Sequence, residues 1–385
     1  MIKVLFISQW YPNRYDPMAG LFVQKHAKAV SLYCEVKVLY VYADENIDDF
    51  EIKKSGHLNF SEVVVYYPNK KNKSFYKLSK TFNYIQAYLK GYKEIKIDGF
   101  IPDIVHANIL TRTAFVAYLL KIWKGIPYVI TEHWSRYLPN RNAYKGFLRK
   151  RITELVVKNA KAILPVSENL MHAMKTHNLQ NSNYNVINNV VDDYFIEEIS
   201  VVHRLIKRII HVSCFDEEAK NISGILRATY ALSKMRQDFE LIIIGKGVDF
   251  ENINAYAQTL NFQPGIIHFM GEKTPEEVAN WMQNSDFFVL FSNFENSPVV
   301  ISESLVCGKP VLSTDVGGIS ELVNSSNGIL IEAGNEAELR EKMNYLLDHH
   351  LDYDTEKIKK KAKEKFCFRP VGQKLLDTYT SALKS

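Results

Sequence analysis

Short apolar runs recur along the whole chain, separated by longer stretches of helical periodicity. That alternation restricts the fold more than any other feature of the sequence. In the first half the runs fall at 3–8, 35–42, 63–67, 104–106, 128–131, 162–166 and 185–187; in the second they fall at 208–212, 240–244, 266–270, 287–291, 310–313 and 328–331. A strand buried on both faces shows no polar alternation, and a helical crossover joins it to a parallel neighbour. The expectation is therefore α/β, with a parallel sheet in each half. At 385 residues the chain exceeds what one core usually serves, so two domains are expected. The charged stretch 192–207 is the natural linker, giving an N-terminal domain at 1–195, a C-terminal domain at 196–367 and a closing helix at 368–385.

The densest chemistry lies at Asn293-Phe294-Glu295-Asn296-Ser297-Pro298-Val299-Val300-Ile301-Ser302-Glu303. The run Asp286-Phe287-Phe288-Val289-Leu290-Phe291 before it reads as a buried strand, and 299–307 reads as a helix. Ser297 is the expected N-cap and Pro298 the expected first helical residue, with Gly308 and Pro310 as stop signals. The first amides, those of Val299 and Val300, then carry partial positive charge suited to phosphate. Glu303 follows one turn later, about 5.4 Å along the axis, placed for a ribose hydroxyl. Glu295, on the loop, is free to reach a sugar.

The segment 286–328, including Gly308-Lys309-Pro310-Val311-Leu312-Ser313-Thr314, Val316-Gly317-Gly318-Ile319-Ser320-Glu321-Leu322-Val323 and Asn327-Gly328, resembles the retaining glycosyltransferases of family 4 and their Glu-x7-Glu motif. The resemblance extends over nearly the whole chain. It implies the GT-B fold, two Rossmann-like domains facing a cleft, with the last helix crossing back to the first domain. Further matches follow from it. Leu241-Ile242-Ile243-Ile244-Gly245-Lys246-Gly247 is similar to the family's Gly-x-Gly turn near the nucleotide. In His211-Val212-Ser213-Cys214-Phe215-Asp216-Glu217-Glu218-Ala219-Lys220, Lys220 matches the family's diphosphate-binding lysine, and Ser213 falls with the donor site; Cys214 stands where the family has arginine. Gly20, in the loop after the first strand, matches the glycine that faces acceptor and diphosphate. His133 ends a strand where the family has a histidine directed at the transferred sugar. Residues 189–192, Asn-Val-Val-Asp, correspond to a family turn whose proline and glycine are lost here.

Charge is unevenly spread. Residues 1–200 carry 27 Lys and Arg against 18 Asp and Glu, a net +9, whereas the remainder is net −4. Lys70, Lys71, Lys73, Lys77, Lys80, Lys90, Lys93 and Lys96 alternate with Phe75, Tyr76, Phe82, Tyr84, Tyr88 and Tyr92. A second cluster sets Arg136, Arg141, Lys145, Arg149, Lys150 and Arg151 among Tyr137, Leu138, Tyr144, Phe147 and Leu148. This mixture suits an anionic membrane surface or a phosphate-bearing acceptor. No nucleic-acid recognition pattern accompanies it. Cys34, Cys214, Cys307 and Cys367 are scattered without metal-ligand spacing and read as reduced thiols of a cytosolic protein. The first residues read as a strand, not a signal peptide. No apolar run approaches the ~20 residues of a membrane span, so membrane contact is expected to be peripheral, at the inner face.

The resulting expectation is a hexosyl-transferring enzyme. It takes a UDP- or GDP-sugar in the C-terminal domain and a glycan or lipid-linked acceptor in the N-terminal one, in polysaccharide or lipopolysaccharide synthesis, with no metal or other cofactor. Glu295, Lys220 and His133 are its expected catalytic residues. Glu303, Val299, Val300, Gly245, Gly247 and Ser213 are expected at the donor, and Gly20 at the acceptor and diphosphate. A glycoside hydrolase using the two glutamates, a sugar-nucleotide 2-epimerase and a non-catalytic nucleotide-sugar-binding subunit are the alternatives.

Overall fold

A computed structural model describes the chain apart from residues 58, 71–75, 98, 111, 140–142, 198–203 and 385, and the side chains of 76–79. It divides into two compact units, residues 1–190 with 368–385, and residues 191–367.

The first unit is built on seven strands: β1 Lys3–Ser8, β2 Glu35–Asp44, β3 Glu51–His57, β4 Phe60–Pro68, β5 Ile104–Asn108, β6 Tyr128–Glu132 and β7 Ala162–Pro165, in the order β3-β4-β2-β1-β5-β6-β7. Every neighbouring pair is parallel except β3 with β4. That antiparallel edge departs from the expected all-parallel sheet, because Glu51–His57 is exposed throughout and carries no apolar signal. The segment expected as a strand at 185–187 runs beside β7, where Asn185 N–H donates to Ile163 O and Ile187 N–H to Pro165 O. A single bridge, Ile163 to Tyr184, is as far as regular pairing extends there.

Side-chain alternation distributes each strand between two cores. Leu5 and Ile7 of β1 join Leu39, Val105 and Ile130 on one face, while Val4 and Phe6 join Val38, Ile104 and Val129 on the other. The second face is closed by the helix Phe368–Lys384, through Val371, Leu375, Tyr379 and Ala382. The Tyr379 hydroxyl reaches His106 Nδ1 at 2.6 Å, so the last helix is part of the first unit's interior.

The second unit has six parallel strands, β8 Lys207–Val212, β9 Phe239–Ile244, β10 Ile267–Gly271, β11 Phe287–Leu290, β12 Val311–Thr314 and β13 Gly328–Ile331, in the order β10-β9-β8-β11-β12-β13. Phe287, Phe288 and Phe291 are fully buried around β11, each side chain contributing roughly 1.5–3 kcal/mol on burial. Val191 and Phe195 pack into this core, and Val191 N–H donates to Phe366 O at 2.9 Å. The division between the units therefore falls near residue 190.

In each sheet the strand order reverses once, between β1 and β5 and between β8 and β11. Open parallel sheets bind ligands beyond the carboxyl ends of the strands at such a reversal.

Candidate functional site

In the second unit, the loops leaving β8 and β11 meet at that reversal. Lys220 ends the one-turn helix Glu217–Lys220, capped by Asp216, whose side chain accepts from Ala219 N. Asn293 N–H donates to Ala219 O at 2.8 Å and its side chain donates to Glu218 O at 2.9 Å, which ties the Lys220 turn to the Glu295 loop. The outcome is a direct ion pair between Lys220 Nζ and Glu295 Oε1, their side chains 15% and 9% exposed. Ser292 Oγ donates to the same carboxylate oxygen at 2.9 Å. Glu295 is thus held, not free on its loop as expected from the sequence.

The backbone of that loop is fixed from behind. Gly317 has φ +62°, and a Cβ there would lie 1.9 Å from the Glu295 carbonyl oxygen. Only glycine permits both the left-handed conformation and the approach. Gly318 N–H then donates to Asn296 O at 3.1 Å.

The helix of this site is Val299–Val306, one residue shorter at its end than expected, with Gly308 beyond it at φ +74°. Its N-cap is Pro298 in extended conformation, not Ser297. Proline's fixed φ suits either position; here its ψ of 117° leaves it just outside the helix. The Ile301 N–H donates to Pro298 O, so the amides of Val299 and Val300 begin the helix as expected. Glu303 is 8% exposed, one turn further.

The turn at Gly245 and Gly247 lies against the β8 loop, with Ser213 N–H donating to Ile244 O and Phe215 N–H to Lys246 O, each at 3.1 Å. His211, fully buried, has Nδ1 at 2.9 Å from the Val289 carbonyl and Nε2 at 2.8 Å from Ser213 Oγ. A carbonyl only accepts, so Nδ1 carries the proton and Nε2 accepts from the serine hydroxyl. Ser213 consequently presents lone pairs outward, which suits a ligand hydroxyl better than a phosphate oxygen. Cys214 is exposed beside it.

In the first unit, Gly20 caps the helix Leu21–Ser31 at φ +61°, and a Cβ there would meet the Trp10 carbonyl at 2.3 Å. The loop after β1 therefore folds back on itself. His133 follows β6 with its ring 4.4 Å from Phe22 and 5.4 Å from His26, within hydrogen-bonding reach of Asn189. Burial pushes its pKa well below the ordinary 6.5, leaving a neutral imidazole.

Sequence reasoning passed over Glu132, which is fully buried. Its carboxyl accepts from the amides of Leu110 (2.9 Å), His133 (2.9 Å) and Trp134 (2.7 Å), joining the loops after β5 and β6. Burial raises its pKa to about 7 in spite of those bonds. A glutamate at the end of an apolar strand was the available signal. The adjoining Ile109 has φ +70°, costly for a β-branched residue and held by its N–H to Thr131 O.

The buried histidines set the acid limit. Burial holds His26 and His211 at about 4. Between pH 4 and 6.5 the unfolded chain binds protons there that the folded chain does not, so stability falls as pH falls through that window. Each residue contributes on the order of 3 kcal/mol. Glu132, raised from 4.5 to about 7, acts with the opposite sign and is outnumbered. The melting temperature is expected to rise from pH 4.5 to 6.5, and a flat or falling profile would contradict these assignments.

Two α/β units, one on a parallel sheet and one on a sheet parallel but for its β3 edge, each with a single strand-order reversal, are of the GT-B class. Residues 30–194 match the model for Glycosyltransferase Family 4 and residues 203–365 that for Glycosyl transferases group 1; the chain belongs to this family. It is 28% identical over 266 residues to an uncharacterized glycosyltransferase of Methanocaldococcus jannaschii, covering 69% of this chain and 70% of the other. It is 24% identical over 370 residues to a putative teichuronic acid biosynthesis glycosyltransferase of Bacillus subtilis, covering 88% of each. Among solved structures, Anabaena HepE in complex with UDP-glucose matches with a TM-score of 0.72 at 17% identity, over 99% of this chain and 100% of that one.

Proposed function

We propose that the protein is a retaining glycosyltransferase that moves a sugar from a UDP- or GDP-sugar to a glycan or lipid-linked acceptor in cell-surface polysaccharide synthesis. The observation that carries this reading is the Lys220–Glu295 pair standing in the same loop cluster as the amides of Val299 and Val300, with Glu303 one turn on. In the reaction the bond from the sugar's anomeric carbon to the diphosphate oxygen breaks. The acceptor oxygen bonds to that carbon on the vacated face, and its proton passes to the leaving diphosphate. Negative charge grows on the diphosphate as this happens, and Lys220 with the helix amides supplies fixed positive potential. The protein itself provides that charge in this reading, without a resident metal. Glu295, charge-balanced by Lys220, holds the sugar's hydroxyls, and Glu303 accepts from the ribose. Ser213 accepts from a donor hydroxyl, and Gly245 and Gly247 keep the neighbouring turn low beside the nucleotide. In the first unit, the neutral His133 and the Gly20 loop serve the acceptor side. The UDP-glucose complex of HepE and the teichuronic acid biosynthesis in the name of the Bacillus relative both support this reading.

A thermal-shift screen with UDP, GDP, ADP and their sugars tests it. A ligand at 100 times its Kd should stabilise the second unit by about 2.7 kcal/mol. Failure of every nucleotide to shift the transition would overturn the donor assignment.

We further propose that the first unit works against the inner membrane face. Among the described residues no helix is long and apolar enough to cross a membrane. The helix Tyr76–Ile97, however, turns Phe82 (61% exposed), Ile85 (53%) and Leu89 (59%) outward on one stripe, with Lys93 and Lys96 continuing it. A soluble helix seldom exposes three large apolar residues at this spacing. Lys71, Lys73 and Phe75 fall outside the described residues, as does Arg141 of the second cluster and the side chains of Tyr76 and Lys77. Lys70 is paired with Asp48. The apolar stripe, flanked by lysines worth about 1 kcal/mol each at an anionic surface, is thus the expected contact. Wild type is expected to cosediment with phosphatidylglycerol vesicles, and Phe82, Ile85 and Leu89 changed to serine should reduce this at least tenfold. Absence of wild-type binding at physiological salt would contradict the membrane assignment.

A further inference from the structure

The loops after β1 and β6 bring together two tryptophans and an arginine that the donor chemistry does not use. Trp10 and Trp134 meet edge to face, their rings 5.0 Å apart at 62°, and both are half-buried. Arg136, in the short turn Ser135–Tyr137, lays its guanidinium on the Trp134 indole, 3.0 Å from the ring centre. Arg136 is only 8% exposed. Its Nε is buried with no hydrogen-bond partner, and no carboxylate lies within ion-pair distance of its guanidinium, among the described residues. Glu132 on this edge attracts the guanidinium electrostatically, but its carboxyl is engaged by three backbone amides, and Arg149 adds a like charge.

A buried guanidinium with an unpaired Nε and no carboxylate in direct contact is costly, and an oxyanion seated on its fork would offset that cost. Its planar fork matches a carboxylate or phosphate two-point, and stacking on an indole holds that fork in one orientation. The face of an indole also offers apolar area to the hydrocarbon side of a sugar ring. These groups sit where β1 and β6 end, the edge at which such sheets take ligands.

We propose that Trp10, Trp134 and Arg136 form an acceptor subsite for a sugar bearing an oxyanion, phosphate or carboxylate, with the ring on the indoles and the oxyanion on Arg136. This deepens the reading above, since it rests on the first unit receiving the acceptor. The substrate class it names is an anionic glycan in place of a neutral one.

Tryptophan fluorescence of the full chain is titrated with glucose 6-phosphate, glucuronate and glucose, in wild type, Arg136→Gln and Arg136→Lys. Wild type is expected to bind at least one of the two charged sugars ten times more tightly than glucose. The preferred one identifies the oxyanion. Arg136→Gln should remove that preference and leave glucose binding unchanged; Arg136→Lys, which keeps charge but not the fork, should lose about three- to tenfold. Equal wild-type affinity for all three sugars, or a wild-type preference undiminished in either variant, overturns the subsite. The thermal shift with UDP, GDP and ADP is measured on each variant: a shift shows a folded donor unit, and its absence with every nucleotide in wild type would strike the donor reading separately. If Arg136→Gln fails to fold, Arg136→Lys decides the matter alone.

Discussion

Replacing Lys220 by alanine is expected to lower kcat by about 10²–10³, with a much smaller change in donor KM. A fixed donor to a developing oxyanion is typically worth about 2.7–4 kcal/mol in the transition state. Charge on the diphosphate is greater there than in the bound ground state, so the loss appears in turnover. The position is well fixed for that role. Lys220 sits on a turn pinned by Asn293 and is poised by its pairing with Glu295. Removing the lysine also leaves Glu295 in a half-buried setting with the Ser292 hydroxyl as its remaining donor among the described residues, and that carries a stability cost. The melting temperature of Lys220→Ala is therefore measured alongside, and Lys220→Met with Glu295→Gln removes both charges as the folding control. A variant with normal kcat and only a raised KM would remove Lys220 from leaving-group stabilisation. Cys214→Arg is the companion, because the side chain there is exposed beside Ser213. Faster donor cleavage in that variant would show that a second cation can be added.

Glu303→Ala is expected to weaken nucleotide-sugar binding by roughly 1.5–3 kcal/mol, about ten- to 150-fold, as befits a lost hydrogen bond to a charged group. Glu303 is 8% exposed on a helix whose Ile301, Leu305 and Val306 face the core. The loss should be the same for nucleotide and nucleotide-sugar, since the ribose is common to both. Calorimetry with the nucleoside diphosphate and nucleotide-sugar selected by thermal shift decides it, and unchanged affinity for both would remove Glu303 from the ribose.

The sheets were legible because their strands are buried on both faces and so write themselves as unbroken apolar runs. Phe287–Leu290 and Val311–Thr314 show this clearly. Glu51–His57 was invisible for the converse reason: an exposed edge strand of Glu, Ile, Lys, Lys, Ser, Gly and His has neither apolar run nor alternation. The candidate donor residues could be found because they share one strand-loop-helix segment or lie just past a strand. Their pairing could not be. Lys220 and Glu295 are 75 positions apart, and their contact follows from β8 and β11 being neighbours, which sequence order does not state. Glu132 and the Trp134–Arg136 stack were missed on the same ground. The partners of Glu132 include an amide from the loop after β5, and the stack acquires meaning only beside Trp10. The N-cap was misplaced by one residue because Ser297 and Pro298 both fit a helix start, and only ψ at Pro298 distinguishes them.

The most direct test of the central claim is the anomeric configuration of the transferred sugar. The nucleotide-sugar selected by thermal shift is incubated with the enzyme and a polar-lipid or oligosaccharide acceptor extract, and the product is followed by proton NMR. The nucleoside diphosphate is expected to be released only when acceptor is present, with the new glycosidic linkage keeping the donor's configuration. An inverted linkage, free sugar released without acceptor, or a donor epimerised and left untransferred would contradict it.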